Sequence, residues 1–265
     1  MKLSLPSLKG FLRTRRLKAR LEKPPITLDA PVPGTAFSVR FGVHTWLEFH
    51  NRAQGSYVGE PDLVDWLREE LRPGDVLWDV GANVGAYALL AAKLCPEATV
   101  VAWEPFIPSF AHLWENILLN GSVRQVIPLQ TGLSDASVLR TLAVSDPRAG
   151  SSLHHLDART DEPTQRLLSM RGEDAVAWFG VPAPTLLKVD TDGHEAPVFR
   201  GMETLLRTGA LRSILVELDP RENGKEIVEI LARAGFRRAE NPRAIPVGDI
   251  VNARFDRVRA ASPSP

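Results

Sequence analysis

The sequence predicts an α/β fold, a doubly wound and mostly parallel sheet preceded by an N-terminal β-hairpin. Three patterns carry that prediction. From Asp75 onward, strand-length apolar runs alternate with segments of helical period, as in a parallel sheet covered on both faces. The first of those runs leads into a glycine-bearing turn, Asp79-Val80-Gly81-Ala82-Asn83-Val84-Gly85, and an acid, Glu104, ends the second. Ahead of them, residues 37–41 and 45–49 alternate apolar and polar positions, the period of half-buried strands, with His44 between them.

The first residues are basic. Lys2, Lys9, Arg13, Arg15, Arg16, Lys18, Arg20 and Lys23 face only Glu22, and Leu5, Leu8, Leu12, Leu17 and Leu21 add a loose helical stripe. This reads as a solvated leader; the alternative is a helix resting on anionic lipid or a partner. No apolar run is long enough for a signal peptide or a membrane span. Pro24-Pro25, Pro31 and Pro33-Gly34 separate the leader from the rest of the chain, because consecutive prolines neither continue a helix nor join a sheet interior. The expected division is a leader and linker over 1–36, one domain over 37–258, and a disordered tail over 259–265.

Within the domain, residues 61–68 have helical spacing with Pro61 at the start. Strands are expected at 75–80, 98–103, 125–130, 185–190 and 212–218, and helices at 84–94, 107–119, 162–170, 195–208 and 223–234. Pro197 in the first turn and Gly209 past the last mark the ends of 195–208. A short strand pair within 236–255 closes the sheet.

Composition narrows the function classes. The 265 residues suit one α/β domain with a complete core, and 44% hydrophobic with 24% charged residues is ordinary for a soluble protein. Lys plus Arg equals Asp plus Glu at 32 each, so nothing favours nucleic acid. Cys95 is the single cysteine, which excludes an internal disulfide and a cysteine zinc site and suits a reducing cytoplasm. With no partner at a helix end, it reads as an inert thiol.

The turn predicts a nucleoside-cofactor site. Glycine lets backbone approach a ligand closely, and an acid about 20 residues on, at the tip of the next strand, accepts both hydrogen bonds of a ribose diol. In the dinucleotide fingerprint the second glycine admits the pyrophosphate. Asn83 stands in that slot, which disfavours NAD and with it a dehydrogenase. The turn suits a smaller ligand with a zwitterionic amino-acid end, in contact with Asp79, Asn83 and the amides from Gly81 to Gly85. Other strand tips carry Gln130 to Asp135, Asp190 to Glu195, and Glu217 with Asp219. Their acidity describes a mouth for a cationic cofactor and a hydroxylated ligand.

These residues resemble the FkbM type of class I S-adenosylmethionine-dependent methyltransferases. The similarity rests on Tyr57 to Pro61, the Asp79 to Gly85 turn, Glu104-Pro105 and the block Lys188 to Glu195, in that order and spacing. Asn116, Asn120, Gly132-Leu133-Ser134-Asp135, Gly150-Ser151-Ser152-Leu153 and Val216-Glu217 extend it over roughly residues 55 to 220. The resemblance implies a Rossmann-like sheet with a final antiparallel strand, and O-methylation of a hydroxyl on a sugar, glycan or secondary metabolite. It assigns the turn to the methionine end of S-adenosylmethionine and Glu104 to its ribose. It places Gln130 to Asp135, including Ser134, beside the adenine, and Asp190 nearest the sulfonium and the acceptor. The chain departs from the family where Asp192 replaces the usual glutamate before Gly193, where His194 replaces a small residue, and where residues 168–174 lack the T-L-D turn. These departures touch acceptor binding more than cofactor binding. The alternative function they leave open is a catalytically degenerate nucleoside-binding module.

An acceptor hydroxyl loses its proton during or after attack, and Asp190 and His194 are the candidate bases. His194 otherwise reads as a helix-start residue. Asp190, Asp192, His194 and Glu195 would alternatively hold a divalent metal, though no metal is assigned. His154-His155 read as loop residues with acceptor contact as the alternative, His112 as a surface or packing residue, and His44 and His50 as part of the hairpin. Trp103, next to Glu104, is a core residue that could also form an adenine wall.

Overall fold

In the computed structural model, residues 15, 26–152, 154–156, 161, 163–208, 210–221, 223–240, 245–246 and 248–258 are described. The leader apart from Arg15, with its lipid or partner contact, lies outside the described residues, as do Leu153, the Gly209 helix stop and the 259–265 tail. No helix among the described residues is long and apolar enough to cross a membrane.

An antiparallel hairpin comes first, β1 (Ile26–Pro31) with β2 (Ser38–Val43), paired from Ile26↔Val43 to Pro31↔Ser38. β2 overlaps an expected strand; β1 lies upstream of it, and residues 45–49 are not a strand at all. They turn into α1 (Glu48–Gln54), a π-helical segment, followed by α2 (Ser56–Gly59) and α3 (Pro61–Glu70). The reason is Glu48. Its buried carboxylate accepts hydrogen bonds from the amides of His44 (3.0 Å) and Thr45 (2.8 Å), closing a turn, while Trp46 is 70% exposed. A five-residue alternation does not say which face is inside.

The central elements follow as β3 (Val76–Val80), α4 (Ala86–Leu94), β4 (Thr99–Trp103), α5 (Ile107–Leu119) and β5 (Val126–Leu129), each close to its expected range. After an inserted region come α6 (Gly172–Phe179), β10 (Leu186–Val189), α7 (Glu195–Arg200), α8 (Glu203–Arg207), β11 (Ser213–Leu218), α9 (Gly224–Arg233), β12 (Phe236–Arg238) and β13 (Val251–Arg257). The seven-stranded sheet has the order β12-β13-β11-β10-β3-β4-β5. It is parallel except for β13, which runs antiparallel to β11 and β12.

Period-two alternation buries both faces. Leu77, Val100, Ala102, Leu186 and Leu215 pack with the hairpin, α3, α4 and α5, while Trp78, Val80, Val101, Trp103, Leu187, Val189 and Val216 pack under α7, α8 and α9. Each fully buried aliphatic side chain contributes roughly 1.5–3 kcal/mol, so a one-residue slip of any central strand is strongly disfavoured.

The insertion holds β6 (Gly132–Leu133), β7 (Val138–Ala143), β8 (His155–Leu156) and β9 (Thr164–Met170), a second sheet of order β6-β9-β7-β8. Residues 162–170 are therefore strand where a helix was expected. Burial inverts the usual reading of that stretch: Ser169 is inside, with its hydroxyl donating to the Ala136 carbonyl (2.9 Å), and Leu168 is 41% exposed. Apolar residues at 167, 168 and 170 imitate helical spacing while the polar residue takes the inner face. The expected single helix at 195–208 is two, broken at Gly201, where a Cβ would lie 1.9 Å from the Ser134 carbonyl oxygen. α6 had no counterpart in the sequence reading.

Candidate active site

The chain passes outward from β3 through β4 to β5, then returns to the other side of β3 as β10. In such a sheet a ligand crevice forms beyond the carboxyl ends of the strands where the winding reverses, here between β3 and β10. A cavity of ≈ 230 Å³ lies at that place. Its floor includes Gly81, Asn83, Trp103, Glu104, Asp190 and Glu217, and the inserted sheet covers it with Leu133, Leu142 and Leu156.

Gly81 is required by this closure. Its φ is +80°, and a Cβ there would sit 1.8 Å from the Asp190 carbonyl oxygen, so the tips of β3 and β10 approach only across bare backbone. Gly81 and Ala82 both donate to the Trp103 carbonyl (3.0 Å each). Asn83, at φ 51°, donates from its side chain to the Ser151 carbonyl and accepts from the Val84 amide.

Glu104 joins the turn to the end of β4. One carboxylate oxygen accepts the Asn83 amide and the other the Phe106 amide, both at 2.8 Å. Burial pushes its pKa up to about 7 against the pull of those two amides. Each carboxylate oxygen has a further lone pair, so the same group can accept from a ligand.

On the other side of the turn lies a buried charge cluster. Lys188 and Asp79 are register partners on β10 and β3, 3.1 Å apart from Nζ to Oδ1, and the same ammonium reaches Asp190 Oδ2 at 3.3 Å. Burial opposes the lysine charge, yet Asp79, Asp190 and Glu60 together raise its pKa above the ordinary value. Glu60 is raised by burial and by Asp190, and its carboxylate hydrogen-bonds the Tyr87 hydroxyl. Glu217, next to Asp190 across β10 and β11, is pushed up to about 8 by burial and then by Asp190, Glu195 and Asp192.

The β10–α7 loop is shaped by Glu195, which accepts from the Thr191 amide (2.9 Å), the Thr191 hydroxyl (3.0 Å), the Gly193 amide (3.1 Å) and the Asn223 side chain (3.2 Å). Its carboxylate is thus turned into the loop, and the cluster from Asp190 to Glu195 does not converge as a metal-ligand set among the described residues. His194 Nε2 lies 2.9 Å from the Ser134 hydroxyl, which donates to Asp135.

Of the residues singled out in the sequence, Gly81, Asn83, Glu104, Asp190 and His194 line this cavity, together with Asp192, His154 and Glu217. Asp79, Gly85 and Ser134 do not: Asp79 is sealed behind the turn against Lys188, Gly85 starts α4 against Leu113, and Ser134 stands behind His194. Trp103 is both core and cavity wall. Sequence reasoning missed Arg52, which enters the cavity from α1 and whose Nε donates to the Gly150 carbonyl (3.3 Å). It also left Glu60 without a role. Glu60 had a signal, its place in the Tyr57 to Pro61 motif; Arg52 had none, because nothing local distinguishes it from a surface arginine.

The sequence profile described as Methyltransferase FkbM domain matches residues 79–238. The chain is 33% identical over 176 residues to the hexuronic acid methyltransferase AglP of Haloferax volcanii, covering 66% of this chain and 69% of that one. It is 29% identical over 196 residues to the 31-O-demethyl-FK506 methyltransferase FkbM of Streptomyces tacrolimicus, covering 63% and 74%. The crystal structure of methyltransferase FkbM from Methylobacillus flagellatus superposes with a TM-score of 0.51 at 12% identity, over 73% of this chain and 50% of that one, a likeness of fold.

Proposed function

We propose, from the premise that the chain belongs to the FkbM methyltransferase family and is a methyltransferase, that it transfers a methyl group from S-adenosylmethionine to a hydroxyl of a sugar, glycan or secondary metabolite. The observation that carries the cofactor assignment is Glu104, a buried carboxylate that ties the Gly81 turn to the second strand tip while facing the cavity. The cavity's donor set fits the whole ligand. Glu104 would accept hydrogen bonds from the ribose diol, bare backbone at Gly81 would admit the chain beside it, Arg52 would pair with the carboxylate, and Glu60 with Asp190 would offset the ammonium and sulfonium charges. When bound, the cofactor supplies an electrophilic methyl group.

The protein's remaining work is at the acceptor. Asp190, Glu217 and His194 form the acidic and basic side of the cavity away from Glu104. They would orient an acceptor hydroxyl and take up its proton, with Glu217, at a pKa of about 8, and His194 as the candidate bases. The inserted sheet, by covering the crevice with Leu133, Leu142 and Leu156, keeps bulk water from competing as acceptor. A hydroxyl acceptor is supported by the relative named for 31-O-demethyl-FK506, and a sugar acceptor by the one named for a hexuronic acid.

Calorimetry tests the cofactor. S-adenosylmethionine and S-adenosylhomocysteine should bind in the micromolar range, about 8 kcal/mol, with NAD far weaker; the reverse preference refutes the assignment. Mass spectrometry of glycans and small metabolites from cells with and without the protein then identifies the acceptor by a protein-dependent gain of one CH₂.

A further inference from the structure

Away from the cavity, the loop after β2 meets α5 in a cluster that methyl transfer does not use. We propose that His44, His112 and Glu115, backed by Glu48, form a binding site for a divalent metal ion of the zinc(II) class. His112 and Glu115 are three residues apart on α5 and so share one face of the helix. His44 is brought over them by the hairpin: its Nε2 is 2.7 Å from Glu115 Oε2, and its ring stacks on that of His112 with centroids 4.2 Å apart. One ligand atom from each of the three residues lies within 4.8 Å of the others. Among the described residues, no other three histidine, cysteine or carboxylate side chains converge this way.

Zinc bonds of about 2.0–2.2 Å place neighbouring ligand atoms of a tetrahedron roughly 3.5 Å apart, so small rotations of the half-exposed His44 and Glu115 complete the set. Glu48 supplies what an isolated trio would lack. It is 2% exposed, one oxygen hydrogen-bonds His112 Nδ1, and the other holds the His44 and Thr45 amides. A buried carboxylate on Nδ1 fixes the tautomer that directs the Nε2 lone pair outward and makes that imidazole a stronger ligand. Two imidazoles and a carboxylate, with solvent in the fourth position, suit zinc and are poor ligands for magnesium. The ion would fasten the end of β2 to α5 ahead of α1, the element that carries Arg52 to the cavity.

The test is thermal unfolding and calorimetry of the full chain, stripped with a chelator and titrated with zinc(II) or magnesium(II). Zinc should bind at one equivalent and raise Tm by several degrees, and magnesium should do neither. His112→Ala risks misfolding by stranding Glu48, so the variants are His44→Gln and Glu115→Gln, each expected to weaken zinc binding at least tenfold. Cobalt(II) should give the visible absorption of a low-coordinate nitrogen and oxygen site in the wild type and lose it in both variants. Zinc binding undiminished in both, absence of any binding, or an equal response to magnesium overturns the proposal and leaves two histidine–carboxylate hydrogen bonds.

Discussion

Replacing Glu104 by glutamine removes one charge and little volume, and its effect can be worked from the geometry. Both carboxylate oxygens accept backbone amides, from Asn83 and from Phe106. A glutamine has one acceptor oxygen, so its NH₂ must face one of those donors. That conflict, added to the loss of a charge-assisted bond to the ribose, should weaken S-adenosylhomocysteine binding by about 1.5–3 kcal/mol, roughly 10- to 150-fold. A pH signature accompanies it. The ribose diol donates to the ionised carboxylate, and with a pKa of about 7 in the free protein the ionised fraction is about one eleventh at pH 6 and ten elevenths at pH 8. Wild-type affinity should therefore fall about tenfold as pH drops from 8 to 6. Ionisation of Glu217 near pH 8 acts on the higher limb, so Glu104→Gln should flatten the lower limb only. Calorimetry across pH 5.5 to 9, with melting curves to show that the variant is folded, reads both effects. A folded Glu104→Gln that binds like wild type, or keeps the tenfold change between pH 6 and 8, would refute the assignment of Glu104 to the ribose.

Two further outcomes probe chemistry and the buried charges. Once an acceptor is identified, Asp190→Asn and His194→Ala should each lower kcat about tenfold to a thousandfold, with S-adenosylhomocysteine affinity little changed in His194→Ala; full kcat in His194→Ala from pH 6 to 9 would make that histidine a helix-start residue only. Lys188→Met strands Asp79 without its counter-charge and should cost about 3–5 kcal/mol in urea unfolding, with adding Asp79→Asn recovering most of it. A single variant within about 1 kcal/mol of wild type would mean that the pair is not the buried anchor its geometry describes.

The central sheet was legible because its signals are local. Strands buried on both faces must be apolar throughout, so 75–80, 98–103, 125–130, 185–190 and 212–218 stand out from their flanks, and the elements found are within a residue or so of each. The positions of Gly81 and Glu104 were legible for a similar reason: a turn that presses backbone on backbone excludes a side chain, and the acid lies at the end of the next apolar run. What the sequence alone determined, then, was the family, the winding of the sheet and the strand tips that line the cavity. Tertiary structure decided the rest, because those features depend on contacts between residues far apart in the chain. Glu48 turns 45–49 away from the sheet by capping amides and meeting His112, 64 residues on. Ser169 is buried and Leu168 exposed because β9 pairs with β7, which makes a strand of an apparent helix. Asp79, the first residue of the turn motif, faces away from the cavity because Lys188 lies opposite it in register on β10, and the energy of a buried charge is set by its partner rather than by its neighbours in sequence.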